Sequence, residues 1–232
     1  MLENNSPYYE DDCGKLFLGN ALELLKFIPD ESIDCVITDP PYGIKYHSNH
    51  YVEKNPHSKI QNDEKLLFPI DELWRVIKPT GAIFSFYSHK IPIIDSRVKN
   101  VITWVKDNWS AGDLKADFGN QKELIAFIPK NKFVLHSKKR YSNVWYCKRC
   151  KPILHPTQKP YELISKLIEV GSKGGDVILD PFMGSGVTAV VAQLMERNWL
   201  GFELEEEYCK TIVKELQTHK IKKFKKLYLG SY

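Results

Sequence analysis

Residues 34–42 read DCVITDPPY and residues 177–186 read VILDPFMGSG. Each is an apolar run of strand length that ends in an acidic residue, Asp39 or Asp180, and then enters a proline-containing turn. Apolar runs bounded by turn residues suit strands buried on both faces of a parallel sheet. In an open parallel sheet, ligands bind beyond the carboxyl ends of the strands, so both turns are expected to face one crevice.

Working outward, apolar runs alternate with helix-like stretches through most of the chain, which argues for an α/β sheet. Strands are expected at Lys15–Leu18, Asp34–Thr38, Ala82–Tyr87, Val101–Lys106, Leu124–Ile128, Asp176–Leu179 and Trp199–Phe202. Asn20 can cap an amphipathic helix, ALELLKFI, that Pro29 follows. A second helix, Phe68–Ile77, is expected to end at Pro79 and Gly81, and three more at Tyr161–Val170, Val187–Arg197 and Glu206–His219. Two polar stretches break the alternation: 43–63 and 130–154. The first is long for a connection inside a compact domain and reads as a functional loop.

In the second motif, Phe182, Gly184, Ser185 and Gly186 follow Asp180 and Pro181 into the next helix. Glycines there let the backbone approach a ligand and adopt dihedrals closed to other residues. A glycine-rich turn alone is weak evidence. Glu203, ending the next strand about twenty residues on, strengthens it, because nucleotide-binding sheets set a carboxylate there against ribose hydroxyls. With no GxxxxGK[ST] stretch, the ligand is expected to be adenosine-like and not a triphosphate.

In the first motif, Pro40 and Pro41 remove two N–H donors, so the backbone after Asp39 presents acceptors only. Such a site suits an exocyclic amine, whose lone pair is delocalised into its base and must be freed before it attacks an electrophilic methyl group. Asp39 and the Pro40 carbonyl can each accept one N–H, while Tyr42 stacks on the ring.

With DPPY early and FxGSG late, the sequence resembles the β class of amino-DNA methyltransferases over about Leu16–Tyr208. Further matches are LFLGNALELL at 16–25, the W-x-K strand at Trp104–Lys106 and HPTQKP at His155–Pro160. The resemblance implies a Rossmann-like class I methyltransferase fold: a mixed, mostly parallel sheet with helices on both faces and a circularly permuted motif order. It implies S-adenosylmethionine as cofactor and a catalytic turn of Asp39, Pro40, Pro41 and Tyr42. Phe182, Gly184, Ser185 and Gly186, with Pro181, would wrap the methionine end, Glu203 would take the ribose, and Thr157 and Lys159 the carboxylate side. Asp39 and Asp180 would adjoin the cofactor. Asn20 stands where the family usually has Asp, and its amide can still bond the cofactor's adenine.

The family flips its target base out of the duplex, because the amine edge is buried in pairing and stacking. The loop 43–63, with Tyr46 and His47, is then the expected lid, and 108–154 the inserted target-recognition segment within one domain spanning 1–232. Lys138, Lys139, Arg140 and Arg149 are expected phosphate contacts, interleaved with Tyr141, Trp145 and Tyr146 as stacking candidates. Double-stranded DNA is the expected partner. The resemblance also admits a homodimer and a cognate restriction endonuclease. DPPY leans toward adenine N6; cytosine N4 is the alternative, and a non-catalytic DNA-binding protein that kept the fold is a more distant one. RNA base methyltransferases usually carry the cofactor motif first, so the motif order favours DNA.

Composition fits this reading. The 232 residues carry 33 Lys and Arg against 29 Asp and Glu, so charge clustering matters more than the net +4. No apolar run is long enough to span a bilayer, and the polar start MLENNSPYYEDD lacks the marks of a secretory signal. Five scattered cysteines fit a reducing compartment, so a cytoplasmic location without membrane contact is expected. Cys147 and Cys150 form a single CxxC flanked by His136 and His155, and they read as ordinary thiols rather than zinc ligands.

Overall fold

A computed structural model of the protein describes residues 6–41, 68–109, 115–116, 118–150 and 158–218. In chain order the strands are β1 (Tyr9–Glu10), β2 (Gly14–Leu18), β3 (Ile33–Thr38), β4 (Ile77–Tyr87), β5 (Asn100–Val105), β6 (Lys122–Pro129), β7 (Val144–Tyr146), β8 (Val177–Asp180) and β9 (Asn198–Glu203). The helices are α1 (Ala21–Leu24, continued by a 3-10 turn over Leu25–Phe27), α2 (Ile70–Val76), α3 (Tyr161–Gly171), α4 (Val187–Leu194) and α5 (Glu206–Gln217).

Among the described residues the strands form one sheet in the order β1-β2-β9-β8-β3-β4-β6-β5-β7. All run the same way except β1, antiparallel to β2, and β6, antiparallel to both β4 and β5. The expected mostly parallel mixed sheet is present. Side chains alternate across it: Cys35, Ile37, Phe84 and Phe86 pack with Leu163, Leu167, Val190 and Ile212 of α3, α4 and α5, whereas Val36 and Ile83 pack with Leu24, Leu73 and Val76 of α1 and α2. Helices therefore cover both faces, and burying each large apolar side chain contributes roughly 1.5–3 kcal/mol.

The structure changes some of the expected boundaries. Pro79 and Gly81 do not separate a helix from a strand, because β4 starts at Ile77, directly after α2. Fully buried Ile77 pairs with Ile33, and a register shift between Ile33 and Cys35 accommodates the irregular start. A Cβ at Gly81 would lie 2.5 Å from the Asp34 carbonyl, so glycine is needed where the strands close up. Helix α4 stops at Leu194, short of Arg197, because Glu196 turns left-handed at φ 63° and the Arg197 N–H returns to the Ala192 carbonyl at 2.8 Å. The segment 108–154, expected as the inserted target-recognition segment, contains β6, central to one half of the sheet, and the edge strand β7.

Candidate active site

Strands β3 and β8 lie side by side, with Cys35 opposite Ile178 and Val36 opposite Leu179. From β3 the chain continues to its neighbour β4 on one side, and from β8 it passes through α4 to β9 on the other. The carboxyl ends of β3 and β8 thus flank a topological switch point, where an open sheet leaves a crevice. Asp39 follows β3 and Asp180 ends β8. Glu203 ends β9 opposite Leu18 of β2, and the Gly19 N–H donates to the Glu203 carbonyl at 2.8 Å, which brings Asn20 to the same edge. Asn20 accepts the Leu22 N–H at 2.9 Å as the cap of α1.

The turn after β8 is held by carboxylates. Asp180 accepts the Phe182 N–H at 3.1 Å and the Thr188 hydroxyl at 2.7 Å, while Glu203 accepts the Gly184 N–H at 2.7 Å and the Glu205 N–H at 2.9 Å. Gly184 and Gly186 have φ of 50° and 75°, the left-handed region that favours glycine. Pro181 and Ser185 are buried and Phe182 is half-buried. Burial pushes the Asp180 carboxyl up to about 7; Thr188 and Phe182 oppose the shift, and the neighbouring charges of Asp39 and Glu203 add to it. Burial also raises Glu203, against the opposing backbone donors of Glu205 and Gly184. Crowded buried carboxylates suit a ligand that brings positive charge.

Asp39 is anchored from across the sheet. Lys159, buried, lies 2.5 Å from Asp39 Oδ2 and 3.0 Å from Glu123 Oε2, and Glu123 Oε1 meets Lys106 at 2.7 Å. The Lys159 ammonium also sits 4.8 Å from the Phe86 ring centroid. The arrangement follows from strand direction. Because β6 is antiparallel, its first residues, Lys122 and Glu123, lie beside the last residues of β5, with Glu123 opposite Trp104. Lys159 stands just before α3.

The DNA methylase family matches residues 33–214, which include both strand ends, Glu123, Lys159 and Glu203. The chain belongs to that family. It is 30% identical to the type II methyltransferase M2.DpnII of Streptococcus pneumoniae, over 91% of this chain and 92% of the relative. It is 29% identical to the DNA adenine methyltransferase YhdJ of Escherichia coli strain K12, over 90% and 84%. The crystal structure of an M1.HpyAVI–SAM complex superposes with a TM-score of 0.68 at 28% identity, covering 88% of this chain and all of that one. The fold is therefore the class I methyltransferase fold in the permuted order of this family.

Within this methylase fold, Asn20, Asp39, Pro40, Pro41, Lys159, Asp180–Gly186 and Glu203 all fall at the carboxyl edge of the sheet. Tyr42, Tyr46, His47, Thr157, His155 and the loop 43–63 lie outside the described residues. The ammonium of Lys159, expected on the cofactor's carboxylate side, pairs with Asp39 and Glu123. Glu123 is not among the residues that the sequence motifs mark. A charged residue opening the apolar run LIAFI, with the Lys of W-x-K on the neighbouring strand, is the signal that could have found it, but only once β6 was known to be antiparallel.

The basic and aromatic cluster divides. Lys148 and Arg149 follow β7 at the same edge as Asp39, both exposed, with the Arg149 N–H on Asp107 at 3.0 Å. Lys138, Lys139 and Arg140 precede β7, toward the opposite end of the sheet, where Ser137 and Tyr141 bond Glu169 near the end of α3 at 3.1 and 2.9 Å. Trp145 is in the core, its Nε1–H donating to the Ser142 carbonyl at 2.6 Å, and Tyr141 packs against it, so neither is placed for base stacking; Tyr146 is exposed. The Cys147 thiol lies 3.3 Å from a Glu162 oxygen, and that of Cys150 donates to the Gln158 carbonyl at 3.1 Å. Among the described residues, no helix is long and apolar enough to cross a membrane.

Proposed function

We propose that the protein methylates the exocyclic N6 amine of adenine in duplex DNA, using S-adenosylmethionine. The observation that carries this is the pairing, at one switch point, of an acceptor-only turn at Asp39–Pro40–Pro41 with the carboxylate-held glycine turn of Asp180, Gly184, Gly186 and Glu203. The DPPY form and the named activity of the Escherichia coli relative both lean to adenine over cytosine N4.

The site fits the cofactor in two respects. The glycines leave its backbone unshielded, and its buried acidic groups complement a cationic sulfonium and ammonium. When bound, the cofactor supplies an electrophilic methyl group at sulfur. Asp39 and the Pro40 carbonyl accept the two N–H groups of the flipped amine, which turns the nitrogen lone pair out of conjugation and toward that methyl. Asp180, Gly184, Gly186 and Glu203 would hold the cofactor, which would supply the methyl group and retain the S–C bonding electrons, and the extra N–H proton of the methylated amine would leave toward the Asp39 side of the site. Tyr42 and the loop 43–63 would cover the flipped base. We assign this activity to the cytoplasm, on cysteine usage, and expect a homodimer, which sedimentation would reveal as a species near twice the 26.9 kDa chain mass.

Titration calorimetry is expected to show S-adenosylmethionine binding that strengthens as pH rises through 7. The sign follows from Asp180: its carboxyl sits at about 7 in the free protein, and a cationic ligand prefers the ionised form. Affinity should therefore be suppressed below that pH and level off above it. Asp180→Asn should flatten the dependence; a wild-type profile that is flat between about 5.5 and 8 contradicts the arrangement.

DNA should bind with a salt slope set by its phosphate contacts. Neutralising Lys148 and Arg149, at the Asp39 edge, is expected to lower that slope by about one to two units. Neutralising Lys138, Lys139 and Arg140, at the far end, should lower it less. Equal slopes in both sets and the wild type would return the whole cluster to ordinary surface.

Transfer itself is tested by incubating the protein with labelled cofactor and either mixed-sequence duplex DNA or RNA of matched composition. Label in DNA and not in RNA is expected. Label in RNA alone overturns the assignment.

A further inference from the structure

Four charged side chains from four segments form one continuous chain at the carboxyl edge: Lys106 after β5, Glu123 on β6, Lys159 before α3 and Asp39 after β3. Of the two central members, Lys159 is buried and Glu123 half-buried. Lys159 is 7% exposed, and the Glu123 side chain is reduced to 27%. Taking the Lys159 ammonium out of water costs several kcal/mol, so an arrangement kept only for stability would be better served by packed apolar residues. The chain ends on the one carboxylate assigned to the reacting amine.

We propose that Lys159, itself held by Glu123, is a positioning residue for methyl transfer: it fixes the rotation of the Asp39 carboxylate and supplies the positive charge that sustains it. This rests on the proposed function. The ion pair at 2.5 Å engages Oδ2 of Asp39, while the Asp39 side chain keeps 23% of its surface open at the crevice. Phe86 beneath the ammonium and Glu123 beside it leave Lys159 little room to turn away. Among the described residues, charges that face this pair from the surrounding elements include Glu123 on β6, Lys106 beyond β5 and Asp180 at the end of β8, with the Cys150 thiol beside Lys159. Burial alone would raise the Glu123 carboxyl, but Lys159 and Lys106 overcome it and hold it at about 2. Burial alone would lower Lys159, and Asp39 and Glu123 more than offset it, so the ammonium stays charged across the physiological range.

The charge order yields a signature that a merely structural role does not share. An opposite charge within a few ångströms favours the charged form of a carboxylate. Lys159→Gln removes the cation beside Asp39, so the acidic limb of the single-turnover rate profile should move to higher pH. Glu123→Gln removes Lys159's other anion and leaves it wholly to Asp39, so the limb should move the other way. Lys159→Arg should restore most of the wild-type profile. At neutral pH, Lys159→Gln is expected to slow transfer by about 30-fold or more while cofactor and DNA affinities change by less than about 5-fold.

The experiment is single-turnover transfer from S-adenosylmethionine to mixed-sequence duplex DNA across pH, for the wild type and these three variants. It is paired with a carboxyl-carbon NMR titration of Asp39 in the ligand-free proteins. Opposite displacements for Lys159→Gln and Glu123→Gln in both measurements support the inference. Displacements in the same direction, or lowered melting temperatures with unmoved profiles, overturn it and leave the proposed function standing. A wild type that transfers no methyl group overturns the proposed function, and the NMR titration then judges the clamp on its own.

Discussion

Asp39→Ala is expected to lower the single-turnover rate of methyl transfer by about three orders of magnitude, the size of effect seen when a positioned polar group is removed at a reacting atom. In the proposed mechanism the carboxylate acts on an amine whose lone pair is engaged with the ring, and that engagement is released only as the transition state forms. Its loss should therefore appear in the chemical step far more than in binding. Lys159 makes the change more severe. Its ammonium would be left buried with Glu123 alone, beneath the crevice proposed to receive the base. Asp39→Asn keeps an acceptor oxygen and should fall between alanine and the wild type. Cofactor affinity by calorimetry and DNA affinity by anisotropy should change by less than about tenfold. Near-normal transfer by Asp39→Ala would remove the amine-acceptor role and reduce the motif to a turn.

Gly186→Val is expected to abolish measurable cofactor binding and to cost roughly 2–4 kcal/mol of stability. The position has φ 75°, and a Cβ there would lie 2.8 Å from the Ile212 side chain of α5. Ile212 is fully buried and cannot retreat, so the turn itself must shift. The Gly186 N–H to Met183 carbonyl bond at 2.8 Å and the start of α4 would go with it. Gly174→Ala is the matched control, because a Cβ there meets only the Glu196 carbonyl at 3.9 Å, and near-neutral behaviour is expected. Thermal melts with calorimetry on both variants decide this. A Gly186→Val protein that binds the cofactor as tightly as the wild type would contradict the placement of the ligand over this turn.

Much of this architecture could be read from the chain because its central strands are apolar on both faces. Runs such as CVIT and VIL, bounded by turn residues, suit the middle of a covered parallel sheet. The two strand ends, and the glycines between Asp180 and α4, are local features with local causes, and they were legible for the same reason. What sequence could not supply was the partnering of residues far apart in the chain. Lys159 reads as a cofactor contact within HPTQKP, and only the reversal of β6 reveals that Glu123 and Asp39 compete for it. Trp145 reads as a stacking aromatic because its neighbours are lysines and arginines, yet a three-residue edge strand turns its ring into the core. The same strand sends Lys138–Arg140 and Lys148–Arg149 toward opposite ends of the sheet, although fewer than a dozen residues separate them. Pro79 and Gly81 look like a helix stop, but the tight β3–β4 pairing absorbs both.

The central claim is the identity of the methylated atom, and one measurement addresses it. The protein is incubated with labelled S-adenosylmethionine and mixed-sequence duplex DNA, the DNA is digested to nucleosides, and the labelled product is identified by mass. The account predicts N6-methyldeoxyadenosine. Label in N4-methyldeoxycytidine, or a digest in which no nucleoside is labelled, would contradict it.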